Sequence, residues 1–342
     1  RCRACRYKLC LSAGMSVDVI HFNAESRRIS KEKKNFEKLT VEESQKIVYN
    51  PPSVAVIADR VIADLQRIEI AFNKIRESTF NPTAGSVCSL DEALEGTSKL
   101  AIHYEKMEGW PFILPEEYSV CNGTLVVHFL QENMFRRIEI GLKRERCTNN
   151  MKFWYFSNII YAIEYFKTFE VFRQLSSNTR RILAGKMALL CSNFVNHYYS
   201  MRMNKRCIVS PDETEMFGGL EKDFPRELQA TTALIDVIKE LDLDEREYVI
   251  LKFLIILSPS LEDATSDERA ILSIQSENYS KILFSYVLAR RGTKKGPTSY
   301  QGMLSLIGTV NHMVKREKDL QLLYGAVGMY HELCPLLEEI VL

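Results

Sequence analysis

The stretch from Met151 to Met203 constrains the fold more than any other part of this chain. It is the densest apolar run, and one polar break, Leu175-Ser176-Ser177-Asn178, interrupts it. Runs this long exceed any ordinary strand, so the pattern predicts a helix over about 151–171, a turn, and a second helix over about 179–201. Ser177 or Asn178 can cap the second helix. Elsewhere the periodicity is also helical. Pro51-Pro52 precedes apolar residues at Ile57, Val61, Leu65, Ile68 and Phe72, and Ser89-Leu90-Asp91-Glu92 starts a helix expected to run to about Met107. A loop over 111–124 and a helix from about Thr124 follow. Further helices are expected near 224–240, 244–257, 266–291 and 297–326, with a short one at about 331–341. Only 206–220 reads as strand: Cys207-Ile208-Val209, a turn at Ser210-Pro211-Asp212, and a return at Glu215-Met216-Phe217. The expected class is therefore all-α with one small β-hairpin. No Gly-rich phosphate loop, HExxH, GxSxG or paired-carboxylate pattern occurs, which argues against an enzyme.

Charge is uneven along the chain. The formal net charge is +1, but residues 1–38 carry ten Lys/Arg against four acids, a net of +6, which leaves −5 for the rest. A basic head on a mildly acidic globule suggests a nucleic-acid contact at the N-terminus, although a solvated tail reads equally well from charge alone. The nine cysteines are 2, 5, 10, 88, 121, 147, 191, 207 and 334, an odd and mostly scattered set. With no signal peptide and no apolar span of about 18 residues, the chain reads as soluble, intracellular and reduced.

Two of those cysteines form Cys2-x-x-Cys5, which is half of a tetrahedral zinc site. Alone, the spacing is also that of redox pairs. Its context is more specific. Cys2-Arg3-Ala4-Cys5-Arg6-Tyr7-Lys8-Leu9-Cys10, followed by Gly14-Met15, resembles the end of the second zinc module of nuclear hormone receptors. The resemblance implies that Cys2 and Cys5 ligate Zn²⁺ and that Cys10 is a buried non-ligand. It also implies that Arg3, Arg6 and Lys8 lie near DNA phosphates, contacts that position without specifying sequence. The recognition helix and two zinc ligands would lie upstream. Arg1 is thus not expected to be a receptor's natural start, and the chain alone is expected neither to hold this zinc nor to read bases.

The C-terminus carries a second resemblance. In Pro335-Leu336-Leu337-Glu338-Glu339-Ile340-Val341-Leu342, Leu336, Leu337, Ile340 and Val341 share one helical face. Pattern alone fits an ordinary terminal helix covering the core. Yet apolar-apolar-x-Glu-apolar resembles the activation helix of nuclear receptors, and Glu164 to Leu175 resembles the end of that family's third helix. The resemblance implies a charge clamp in which Lys167 and Glu339 hold the two ends of a coactivator Leu-x-x-Leu-Leu helix. Leu336, Leu337 and Ile340 would border the groove. Where the family often has Gln and a second groove lysine, this chain has Arg180, Gly185 and Lys186; Lys186 is one position shifted. Lys152-Phe153-Trp154-Tyr155-Phe156 and Arg246-Glu247-Tyr248 to Ser258-Pro259 look like the divergent nematode-type receptors.

The resemblance further implies a three-layer antiparallel helical sandwich. A lipophilic ligand cavity would be lined by Trp154, Tyr155, Asn158 and Ala162, with Val195, Asn196 and Tyr199 opposite; the same residues read as plain core. His103, His128, His197, His312 and His331 share no metal-ligand spacing. Leu304, Ile307, Val310, Val314, Leu323 and Val327 fall on the helix by which the family dimerises, although a core helix fits the pattern as well. The expected layout is a zinc-finger remnant at 1–20, a basic hinge at 21–50 and a ligand-binding domain at 51–342. The implied role is a nuclear, DNA-binding transcription factor of RNA polymerase II genes that recruits coactivators, with homo- or heterodimeric partners and no membrane. The alternative is a truncated receptor acting as a dimerisation module without DNA binding.

Overall fold

The computed structural model describes residues 54–83, 85–110, 152, 154–213, 225–257, 261, 264–326 and 335–341. The zinc-module remnant, the hinge and the helix expected from Thr124 lie outside these residues.

Nine α-helices and one 3-10 turn make up the described chain: α1 (Val54–Arg76), α2 (Leu90–Leu94), the 3-10 turn (Lys99–Ala101), α3 (Trp154–Phe166), α4 (Glu170–Gln174), α5 (Ser177–Arg202), α6 (Pro225–Glu240), α7 (Glu245–Ile256), α8 (Ser266–Ala326) and α9 (Pro335–Val341). No sheet forms among them; one isolated β-bridge joins Ser78 to Lys106. Of the first arm of the expected hairpin, Val209 alone carries a β-bridge, and no extended strand forms among the described residues. The Val209 amide donates to the Ser200 hydroxyl at 2.9 Å, and the chain turns at once, with Glu213 at φ 65°. The expected return arm lies outside the described residues.

The layering follows from which helices are apolar all round. Twelve residues of α3 are buried, from Trp154 to Phe166 with Tyr155 alone half-exposed, so neighbours cover every face. α5 packs against α3 on one side and against α6, α7 and α8 on the other. α1 lies across α3 and α7. The order is α1 and α3, then α5 and α7, then α6 and α8, which is the three-layer helical arrangement expected.

Local chemistry sets the boundaries. Ser176, one residue before the expected caps, accepts the Thr179 amide and starts α5. Asp244 and Glu247 form a reciprocal capping box at the start of α7. α8 bends where Gly292 adopts φ 73°, which separates the two helices expected at 266–291 and 297–326. The helix expected to reach Met107 instead stops at Leu94. Gly96 takes φ 67°, and Ser98 then caps the 3-10 turn. In α1 the inward stripe is Ile62, Leu65, Glu69, Phe72 and Ile75, so a carboxylate faces the core while Ile57 is exposed. Among the described residues, no helix is long and apolar enough to cross a membrane.

Candidate functional site

Three helices from distant parts of the chain, α3, α5 and α9, pack around α2, and the seat they form is the candidate cleft. α9 is too short to persist alone and is held by burial. Leu336, Leu337, Ile340 and Val341 are all buried, while Glu338 and Glu339 point outward. The Leu336 amide donates to the Cys88 carbonyl at 3.1 Å, which joins α9 to the segment leading into α2.

Lys167 and Glu339 both border this cleft, but neither charge is free. The Lys167 ammonium is buried and donates to the Ala93 carbonyl at 3.1 Å, the Glu95 carbonyl at 2.8 Å and the Glu164 carboxylate at 3.1 Å. The first two are carbonyls at the C-terminal end of α2, where a helix leaves acceptors unmet and favours a cation. Glu339 pairs with Arg181, whose guanidinium also reaches Asp91 of α2 at 3.3 Å. Lys186, expected as a second groove cation, is exposed on α5. Gly185 lies against α2 and α9: a Cβ there would meet Leu90 Cδ2 at 3.5 Å and the Glu339 carbonyl at 3.8 Å. Sequence reasoning missed Arg181 and Glu164. Glu164 accepts the Lys99 amide at 2.6 Å, and its carbonyl accepts the Ser98 hydroxyl at 2.6 Å. The available signal was the Glu164–Lys167 spacing of three on one helix.

The residues expected to line a ligand cavity divide into two groups. Trp154, Asn158, Ala162 and Val195 are buried together in the interior, with Tyr155 half-buried. Trp154 is anchored, donating from its indole to Asp212 at 2.7 Å and packing beside Trp110. Asn158 is buried, and neither its amide nitrogen nor its amide oxygen has a hydrogen-bond partner among the described residues. Asn196 and Tyr199 instead turn toward α1. Asn196 accepts from Arg76 at 3.5 Å, and the Tyr199 hydroxyl donates to Glu69 at 2.7 Å and accepts from Asn73. For Tyr199 the cause is the inward Glu69, which needs donors and draws Tyr199, Tyr248 and Lys252 to it.

His197 is buried, and its ring Nδ1 contacts the Asn193 carbonyl at 2.7 Å. Burial holds its pKa down at about 4, against the partial opposition of that hydrogen bond. No group of three or more potential metal ligands occurs among the described residues. Of the expected dimer face, Val310 and Val314 belong to the core, Ile307 is half-buried and Leu304 is exposed; the side chains of Leu323 and Val327 lie outside the described residues.

Comparison with known proteins agrees with this architecture. The family model for the ligand-binding domain of nuclear hormone receptor matches residues 140–324. Nuclear hormone receptor family member nhr-60 of Caenorhabditis elegans is 25% identical, the alignment covering 95% of this chain and 73% of that protein. Family member nhr-153 of the same organism is 24% identical over 94% of this chain and 72% of its own length.

Proposed function

Because this chain belongs to the nuclear hormone receptor family, in its divergent nematode branch, and that family consists of ligand-regulated, non-enzymatic transcription factors, we propose that its cleft between α3, α5 and α9 is a coactivator-binding groove. The carrying observation is the pairing of Lys167 with the carbonyl end of a short helix seated in that cleft, while Glu339 on α9 shares Arg181 with Asp91 of the same helix. A cationic grip on free carbonyls is what a partner Leu-x-x-Leu-Leu helix requires at its C-terminal end.

The domain so formed runs over 51–342. Ahead of it, Cys2 and Cys5 supply two thiolates of a zinc site whose other ligands would precede them, and Arg3, Arg6 and Lys8 would meet DNA phosphates. These roles make the protein a nuclear, DNA-binding regulator of RNA polymerase II transcription. α8 is its dimer face toward a like receptor, with Leu304 the most exposed apolar side chain among the described residues of the expected set. The ligand is a lipophilic molecule with a hydrogen-bonding group. Asn158 supports this reading, since a buried amide without a partner is costly and a ligand oxygen or hydroxyl would satisfy it.

The test tethers the full chain to a heterologous DNA-binding domain in a reporter cell line. Reporter output should change on tethering and return to baseline when residues 335–342 are deleted. Output unaffected by the deletion would reject α9 as the activation helix.

A further inference from the structure

The groove assigned above already holds a helix, and that helix is part of the same chain. α2 packs on α3, α5 and α9 at once. Its inward side chains are Leu90, Ala93 and Leu94, at i, i+3 and i+4: Leu90 and Ala93 are buried, and Leu94 packs on the core. Leu-Asp-Glu-Ala-Leu thus has the register of a Leu-x-x-Leu-Leu helix, with alanine at its fourth place. Each surrounding element grips it. Lys167 donates to its last carbonyls, Arg181 pairs with Asp91, the Leu336 amide meets the Cys88 carbonyl, and Leu90 lies over Gly185.

We propose that residues 88–95 are an internal stand-in for the partner helix, so that a Leu-x-x-Leu-Leu helix enters the groove only by displacing α2. This rests on the groove being the coactivator site. Three features make α2 exchangeable and not merely structural. Five residues do not hold a helix without a docking surface. Its alanine covers less of the groove than a leucine would, so a partner helix buries more apolar surface in the same seat. And the loop that carries it is pinned on both sides, by Thr79 to the Glu105 carbonyl and Met107 to the Glu77 carbonyl on one side and by Ser98 and Lys99 to Glu164 on the other. α2 can therefore leave while the ends of its loop stay in place. The short tether keeps its local concentration high, and a competitor sees only the fraction of molecules with an open groove.

The experiment measures binding of a fluorescein-labelled Leu-x-x-Leu-Leu peptide to the full chain by anisotropy, alongside hydrogen exchange of residues 88–95. Leu90→Ser with Leu94→Ser should tighten peptide binding about tenfold by opening the groove. Asp91→Arg, an exposed change that repels Arg181, should tighten it less and decides the matter if the double variant unfolds. Peptide added to the native sequence should raise exchange at 88–95 and lower it at 335–341. Equal affinity for the native chain and its variants, or unchanged exchange at 88–95 when peptide is bound, would overturn the displacement. If 88–95 are released in the variants yet no peptide binds any of them, the coactivator reading of the groove fails, whereas α2 self-docking stands.

Discussion

Two of the buried lysines, Lys252 and Lys167, have opposite surroundings. Lys252 on α7 is wholly enclosed. It pairs with Glu69 of α1 at 2.7 Å and lies over the rings of Phe72 and Tyr165, 3.3 and 3.9 Å from their centroids. Burial drives its pKa down, with the Glu69 carboxylate the main opposing influence. Tyr199 and Tyr248 take the other oxygen of Glu69, so every charge in that cluster has a partner from a different helix. Lys167 is also buried, but two of its three acceptors are backbone carbonyls of a five-residue helix. A carboxylate fixed on a long helix is irreplaceable to its lysine. A carbonyl at a helix end can be supplied equally well by another helix. The first lysine specifies the fold, and on the coactivator proposal the second is available for recognition.

That contrast predicts a ranking. The largest effect is expected from Lys252→Met, which leaves Glu69 charged and unpaired in the core. Chemical denaturation should show a loss of about 3–5 kcal/mol. Adding Glu69→Leu should return part of it, the remainder reflecting the lost acceptor of Tyr199 and Tyr248. A loss below about 1 kcal/mol in the single variant would erase the distinction between the two lysines.

The next effect depends on pH and concerns another enclosed group, on α5. His197 has its pKa lowered from 6.5 to about 4 by burial, so the folded state keeps it neutral where the unfolded chain would charge it. Its contribution is full above about pH 6.5 and is lost as pH falls from there to about 4. The span is worth about 3 kcal/mol. His197→Gln should flatten that acid limb in denaturation curves taken between pH 7 and 4. An unchanged limb would mean the ring opens to solvent.

The smallest effect is expected at the groove rim. Arg181→Ala removes pairs with Asp91 and Glu339 whose side chains are partly or largely exposed, and should cost less than about 1 kcal/mol of stability. A larger loss would make the rim as fixed as the core and weaken the contrast.

The sequence carried the central part of this architecture because its signals are local. The apolar density of 151–203 predicts α3 and α5 with Lys167 between them, Pro335 and the spacing of Leu336, Leu337, Ile340 and Val341 predict α9, and the Asp244–Glu247 spacing agrees with the start of α7. What was not legible depends on partners remote in sequence. Glu69 sits on an apolar stripe only because Lys252 answers it 183 residues later. Tyr199 turns its hydroxyl to α1 for that same reason, and Asn196 meets α1 through Arg76. The register of Leu90, Ala93 and Leu94 is plain in the sequence, but nothing local says that the chain's own groove receives it. The helix expected to reach Met107 shows the converse. Its start is encoded by Ser89, whereas its early end follows from Gly96 and from the pull of Glu164 on Ser98 and Lys99.

The backbone bond from Leu336 to Cys88 ties α9 to a loop far upstream. Whatever loosens one end of that stitch slackens the other. A protease probing the loop around Thr83 to Val87 would therefore report on the seating of a helix it never touches.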